Sequence, residues 1–240
     1  NTYYASMTKQ AIGLPFHNLK QRVDTIMHVM NYPEKPILQS HHSKYNHGDT
    51  LAYGENLVCC IMAYGGWNQE DSVILNRGAV ERGLLRIVSY RTLTVEEKKK
   101  NTQCVETIQS VPKEYQNRSY NYSKLDQNGI VKKGIFVSVG DVVVSKMVKS
   151  NSKATMTSSI KDSSVIVKNG EEGYVSEVFI TTSSEGYKLV RIKVSVTRIP
   201  EVGDKVCSRN AQKGTISAIL DDIDMRSEEH TSELQSHSDL

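Results

Sequence analysis

Two blocks of this sequence put charged and amide side chains where apolar ones would pack more cheaply. The first is Asn68-Gln69-Glu70-Asp71 within "GWNQEDSVILN" (66–76), which follows the apolar run Leu57 to Tyr64 and returns at once to Val73-Ile74-Leu75. Adjacent carboxylates suit a hard cation, and magnesium is commonly held by one or two protein carboxylates with phosphate oxygens completing its shell. On extended backbone, neighbouring side chains point to opposite sides, so Glu70 and Asp71 are expected to divide the work. One would reach an ion and the other would hold local structure. By spacing alone, a solvated acidic turn is the simpler account.

The second block is Gly203-Asp204-Lys205 through Gln212-Lys213-Gly214. Two lysines flank a short loop that also carries Arg209, with a glycine near each end. Glycine lets a backbone come close to a ligand, and lysine acts as a compact point charge on phosphate. The lysines lie eight residues apart and the GxxxxGK[ST] spacing is missing, so this is no P-loop. Standing alone, the block reads as a basic hairpin loop. His41, His42 and His47 lie in a polar stretch without cysteine partners and read as solvated histidines. Trp67 reads as packing beside a buried strand, and the serines lack a nucleophile elbow.

The elements that must position these blocks are mostly strands. Residues 57–64 read as a buried strand and Val73-Ile74-Leu75 as a second, with Asn76 capping a short helix through Arg82 and Gly83 ending it. Leu19, Val23, Ile26, Met27 and Met30 recur at helical spacing before Pro33 and Pro36. "HHSKYNHGDTLAYGEN" (41–56) reads as a polar loop. Val137, Val139 and Val142 to Val144 suggest strands broken at Gly140, and 149–164 a polar loop of low complexity. Tyr174 to Thr182 and Tyr187 to Ile199 read as a hairpin turned at Ser183-Ser184-Glu185-Gly186, since Val190, Ile192, Val194 and Val196 alternate with polar residues.

The chain has 240 residues, 38% hydrophobic and 24% charged, which is ordinary for a globular protein with a real core. No apolar run approaches the roughly 20 residues of a membrane span. Cys59, Cys60, Cys104 and Cys207 form no CxxC pair, so buried, reduced thiols are expected, with neither a disulfide framework nor a zinc site. The formal charge is +3, but residues 226–240 hold Arg226 against Glu228, Glu229, Glu233 and Asp239, leaving 29 basic and 23 acidic residues in 1–225. That excess suits a polyanionic partner. The last fifteen residues, "RSEEHTSELQSHSDL", lack apolar periodicity and look like a translated sequencing adapter, so a disordered, non-native tail is expected at 226–240.

Four stretches, in order, carry a resemblance: "NTYYASMTKQAIG" (1–13), "MAYGGWNQEDSVILNRGAVERGLLR" (62–86), "KLDQNGIV" (124–131) and "TRIPEVGDKVCSRNAQKGTIS" (197–217). Together they resemble the second-largest subunit of multisubunit DNA-directed RNA polymerases of the eukaryotic, archaeal and large-DNA-virus type. The resemblance covers essentially residues 1–225. It implies a mainly β fold with short helices, in which 1–86 and 200–225 belong to a hybrid-binding region built as an incomplete double-psi β-barrel. A β-rich wall or flap-like insertion would occupy 87–199. It also implies that Lys205 and Lys213 are catalytic, facing the RNA 3′ end and the incoming nucleotide. Gln10, Arg209 and Gln212 would join them on RNA or nucleotide. Asp71, with Glu70 beside it, would lie near the second, nucleotide-borne Mg²⁺ of a two-metal site, the first being held mainly by the largest subunit.

The implied partners are that subunit, other polymerase subunits, template DNA, the RNA–DNA hybrid and nucleoside triphosphates. No membrane and no zinc within this chain are expected. The implied location is intracellular: the nucleus for a cellular eukaryotic source, the cytoplasm, a virus factory or the virion for a viral one. The chain is expected to be an internal piece, inactive without the largest subunit, with a preceding arginine and a following zinc-binding clamp outside it. It departs from the family's usual Ser-Arg-His-Gly-Gln-Lys-Gly, having Asn210 and Ala211 at the third and fourth positions. Apart from the resemblance, a basic nucleic-acid-binding scaffold remains open, and so does a self-sufficient Mg²⁺ enzyme, for which too few acidic ligands are visible.

Overall fold

The alternation at 187–199 does produce a strand with one sealed face: Val190 and Ile192 are 0% exposed. In the computed structural model, which describes residues 11–101, 104–151 and 158–225, strands predominate throughout. In chain order they are β1 (Ile26–Met30), β2 (Ser72–Asn76), β3 (Ile87–Glu96), β4 (Lys99–Asn101), β5 (Cys104–Ile108), β6 (Phe136–Val137), β7 (Val142–Val144), β8 (Lys146–Asn151), β9 (Ser158–Asp162), β10 (Val165–Ile166), β11 (Gly173–Thr182), β12 (Lys188–Arg198), β13 (Lys205–Cys207) and β14 (Lys213–Leu220). Among the described residues the one α-helix is α1 (Arg77–Arg82), and three 3-10 turns fall at His41–Lys44, Lys113–Tyr115 and Asp222–Asp224. The fold is mainly β with few helices.

The chain divides into two compact units. One takes residues 18–27 and 89–196. It contains most of a five-stranded sheet ordered β1-β3-β12-β11-β6, a four-stranded sheet β4-β5-β8-β9 and the pair β10-β7. Its core joins Val95, Ile108, Ile130, Val137, Val144, Val175 and Ile192, among others, into one apolar cluster. β11 and β12 are the expected hairpin, paired antiparallel from Tyr174↔Ser195 to Thr182↔Lys188. Lys193, on the polar side of that alternation, is nevertheless only 2% exposed. Its ammonium donates to the Leu19 carbonyl at 2.5 Å and the Arg22 carbonyl at 3.3 Å, 4.6 Å from the centre of the Tyr90 ring. Burial pushes its pKa down, while Glu177 and Asp24 oppose that shift.

The other unit takes 11–17, 28–88 and 197–225 of the described residues and contains the three-stranded sheet β13-β14-β2. Leu75, Val80 and Ile216 form its apolar cluster, with Val73, Leu84, Val206 and Ile219 packed around them. β2 leads directly into α1. The Asn76 side-chain oxygen accepts the Ala79 N–H at 2.9 Å, and Gly83 closes the helix at φ 118°. Gly13 bridges antiparallel to Tyr53 and parallel to Val29, so residues 12–14 are stitched to both segments. The Met30 N–H donates to the Gly13 carbonyl at 2.9 Å and the Leu14 N–H to the Ala52 carbonyl at 2.8 Å.

Several local expectations fail. The helical spacing over 19–30 ends in a strand, β1, where Met27, Val29 and Met30 are buried. Five apolar residues satisfy a 3.6 period by coincidence when sheet pairing supplies the burial. Residues 57–64 are neither strand nor buried: Val58 is 73% and Ile61 97% exposed. Among the described residues no strand lies beside them to cover that run. Cys59 in that run and Cys207 on β13 are exposed, not buried, and none of the four cysteines forms a disulfide. Trp67, expected to pack, is 59% exposed. The polar stretch 149–164 contributes to β8 and β9, which pair antiparallel from Met147↔Asp162 to Asn151↔Ser158. The expectation of a disordered tail at 226–240 lies outside the described residues.

Candidate functional site

Sheet pairing brings the two chemical blocks together within one unit. β14 runs antiparallel to β13, with Lys205↔Thr215 and Cys207↔Lys213, and parallel to β2, with Thr215↔Ser72 and Ile216↔Val73. Lys205 is the first residue of β13, Lys213 the first of β14, and Asp71 immediately precedes β2. The Thr215 N–H donates to the Asp71 carbonyl at 2.8 Å. Strands lie about 4.8 Å apart, so the backbones of Lys205 and Ser72 are about 10 Å apart across the central strand. That width suits a polyphosphate.

The two faces of this sheet differ in chemistry. Side chains of paired residues share a face, and residues two apart along a strand do too. Val206, Ile216 and Val73 therefore lie on the face that packs with Leu75 and Val80. Lys205, Cys207, Lys213, Thr215 and Ser72 occupy the opposite face, the first three exposed and the two hydroxyl residues half-buried. Gly214 is the tight point. A Cβ there would lie 3.0 Å from Val73 Cγ1 and 3.2 Å from the Asp71 carbonyl oxygen. The glycine of the Gln-Lys-Gly triplet thus lets the lysine strand lie against the backbone of the acidic block.

The acidic block is held in strained backbone. Glu70 and Asp71 have φ of 50° and 62°, two consecutive non-glycine residues in the left-handed region. The opposite-sides argument for these carboxylates therefore fails, because the chain is not extended there. Both side chains are exposed. Asn68 shapes the approach: its side-chain oxygen accepts the Tyr64 N–H at 3.0 Å and its amide donates to the Met62 carbonyl. Such strain persists only where surrounding structure over-determines it, and it clusters at functional sites.

The basic loop is equally constrained. The Ser208 hydroxyl accepts from the Asn210 and Gln212 N–H groups, both at 3.3 Å, and the Ser208 N–H donates to the Gln212 carbonyl at 3.1 Å. Ala211 takes φ 63°. Arg209, expected on nucleotide, is half-buried and turned onto its own unit. Its guanidinium donates to the carbonyls of Glu34 at 2.9 Å and Tyr53 at 2.8 Å and to the Asn56 side chain at 3.3 Å, and it lies over the Tyr53 ring. The Gln212 side chain is exposed at the base of the loop, opposite Ser208. Gln10 lies outside the described residues.

Among the described residues, no group of three or more His, Cys, Asp or Glu side chains is arranged to hold a metal ion. Two exposed carboxylates nonetheless fit magnesium's preference for few protein oxygens and several ligands from elsewhere. Sequence reasoning missed Thr215, Ser72 and Cys207 on the charged face. Their alternation with Ile216, Val73 and Val206 was visible, but which face they join depends on the β14–β2 pairing.

A family model described as RNA polymerase Rpb2, domain 6, matches residues 1–231. A probable DNA-directed RNA polymerase II subunit RPB2 homolog of Invertebrate iridescent virus 3 is 40% identical over 94% of this chain and 19% of its own length. The DNA-directed RNA polymerase II subunit RPB2 of Schizosaccharomyces pombe is 35% identical over 94% of this chain and 19% of its own. The DNA-directed RNA polymerase subunit Rpo2 of Sulfolobus acidocaldarius is 34% identical over 94% of this chain and 21% of its own. The chain thus spans about a fifth of the length of these relatives.

Proposed function

The chain belongs to the RNA polymerase Rpb2, domain 6 family, and from that premise we propose that it supplies part of the active centre in which a multisubunit DNA-directed RNA polymerase extends RNA. The observation that carries this reading is the sheet β13-β14-β2, whose one face and one end gather Lys205, Lys213 and the strained Glu70-Asp71 turn. Lys205 and Lys213 neutralise negative charge on the RNA 3′ end and the incoming triphosphate. Fixed cations aimed at charge that develops during reaction need no reorganisation at the moment of transfer. Asp71 and Glu70 would hold a magnesium ion shared with the largest subunit. Magnesium, when bound, lends positive charge to the triphosphate and the departing pyrophosphate.

Gln212 reaches nucleotide or RNA from the base of the loop, and Gln10 serves the RNA backbone. Arg209 is better cast as a positioning residue, since both its terminal nitrogens are engaged, by the Glu34 and Tyr53 carbonyls and by Asn56. The hybrid-binding region comprises 1–86 and 200–225 and belongs to a double-psi β-barrel. Residues 87–199 form the wall-like insertion. The partners are the largest subunit, template DNA, the RNA–DNA hybrid and nucleoside triphosphates, inside the cell.

The test is Lys213→Ala in the assembled polymerase. Loss of a preorganised electrostatic contact predicts a fall in nucleotide addition of about a hundredfold, with subunit assembly unchanged. Elongation at the parent rate would overturn the assignment.

A further inference from the structure

Thr215 occupies the centre of the charged face. It pairs with Lys205 on one side and Ser72 on the other, and Lys213 precedes it by two residues on the same strand. By sheet geometry, Lys205 and Ser72 flank it at about 5 Å and Lys213 at about 7 Å. The Thr215 backbone is already committed, its N–H to the Asp71 carbonyl at 2.8 Å. Its hydroxyl and that of Ser72 have no protein partner among the described residues, and both side chains are only half-buried. A half-buried hydroxyl on the face that carries both lysines is a directional donor in a field that attracts anions.

We propose that the Thr215 hydroxyl, with Ser72 beside it, donates directly to a phosphate oxygen of the polyphosphate held by Lys205 and Lys213. The two lysines supply charge without direction. The hydroxyl supplies direction, fixing which oxygen lies between them. Hydrogen bonds to charged acceptors are shorter and stronger than neutral ones, so one such donor is felt in ground-state binding. This role deepens the proposed function and rests on it. It adds substrate-binding residues on β14 and β2 to the lysines and carboxylates already considered.

The experiment compares Thr215→Val, Thr215→Ser and Lys213→Ala in the whole polymerase, measuring KM and kcat for nucleoside triphosphate and the inhibition constant of magnesium pyrophosphate. Valine keeps the β-branched shape and removes the hydroxyl. It is expected to raise KM and the pyrophosphate inhibition constant about tenfold with kcat changed much less, and serine is expected to restore both. Unchanged constants for Thr215→Val beside an impaired Lys213→Ala overturn this inference and leave the proposed function standing. Unchanged constants for both variants overturn the two together. Equal impairment by valine and serine, or a fall in kcat with KM unmoved, assigns Thr215 to packing and also overturns the inference. If Thr215→Val does not assemble, Thr215→Ala carries the same comparison with the same outcomes.

Discussion

Ala211 holds φ 63° in a loop where the resemblance implies glycine. The left-handed region costs an ordinary L-residue about 1–2 kcal/mol. Glycine would remove that strain but lose more freedom on folding, a loss of about 0.4–1 kcal/mol. Ala211→Gly is therefore expected to stabilise the chain by roughly 0.5–1 kcal/mol, read as a higher denaturation midpoint at unchanged slope. A drop in midpoint would mean that the loop's hydrogen bonds to Ser208, not the backbone preference, set its shape. A second residue-scale case is Asp141, 3% exposed in the other unit. Burial alone would raise its pKa. The Lys124 ammonium, the Ser138 N–H and hydroxyl and the Asn121 amide more than offset this and hold it at about 2. A depressed carboxylate contributes stability that is fully present above the unfolded value near 4 and lost as pH falls toward 2. Asp141→Asn should therefore cost about 2 kcal/mol at pH 7. The gap from the parent should narrow between about pH 4 and pH 2, and a pH-independent gap would assign the loss to packing.

At the scale of elements, close approach of backbones decides which glycines are irreplaceable. A Cβ on Gly13 would lie 2.4 Å from Tyr53 Cα and 2.5 Å from the Ala52 carbonyl oxygen, atoms that cannot swing away. On Gly78 it would meet the Asp222 carboxylate at 2.5 Å, the far end of a flexible side chain. Gly13→Ala is thus expected to destabilise by about 3 kcal/mol or more, in the range of severe backbone conflicts, and Gly78→Ala by less than 1 kcal/mol. Paired denaturation curves check the ordering, and equal losses would refute it. The same contrast explains what the sequence disclosed. The α1 caps, Asn76 and Gly83, and the β11–β12 hairpin act between residues close in sequence, so pattern reading finds them. Strand β1 and the burial of Lys193 depend on partners far along the chain, Lys193 on Leu19, 174 positions away, and the exposed residues 57–61 have no covering partner among the described residues. In the site, charge and glycine spacing pointed to the lysines and carboxylates. The Thr215–Ser72 row needed the parallel pairing of β14 with β2.

The molecule's two units are unequally supplied with apolar packing. The unit of residues 18–27 and 89–196 has a cluster that includes Val137, Val143, Val144, Val167, Val190 and Ile192, all at 0% exposure. Among the described residues, the unit carrying the charged face has Leu75, Val80 and Ile216 at the centre of its cluster, while Ile37, Leu38, Val58 and Ile61 are 84%, 88%, 73% and 97% exposed. Large apolar residues left open in this way mark surfaces normally covered by protein. On the proposed function, other parts of the polymerase would cover them. The expected behaviour of the isolated chain is self-association and binding of hydrophobic dye. Val58→Lys with Ile61→Lys should lower both, because like charges repel and hydrated ammonium groups resist burial. The thermal midpoint should stay within about 2 °C of the parent, since substitutions at open surface positions change stability by at most about 0.5 kcal/mol. In the assembled polymerase the same pair should weaken incorporation of the subunit, because two charges would then be buried without partners. Lower dye binding together with normal incorporation would show that this apolar run is never covered, and that the smaller core of this unit suffices by itself.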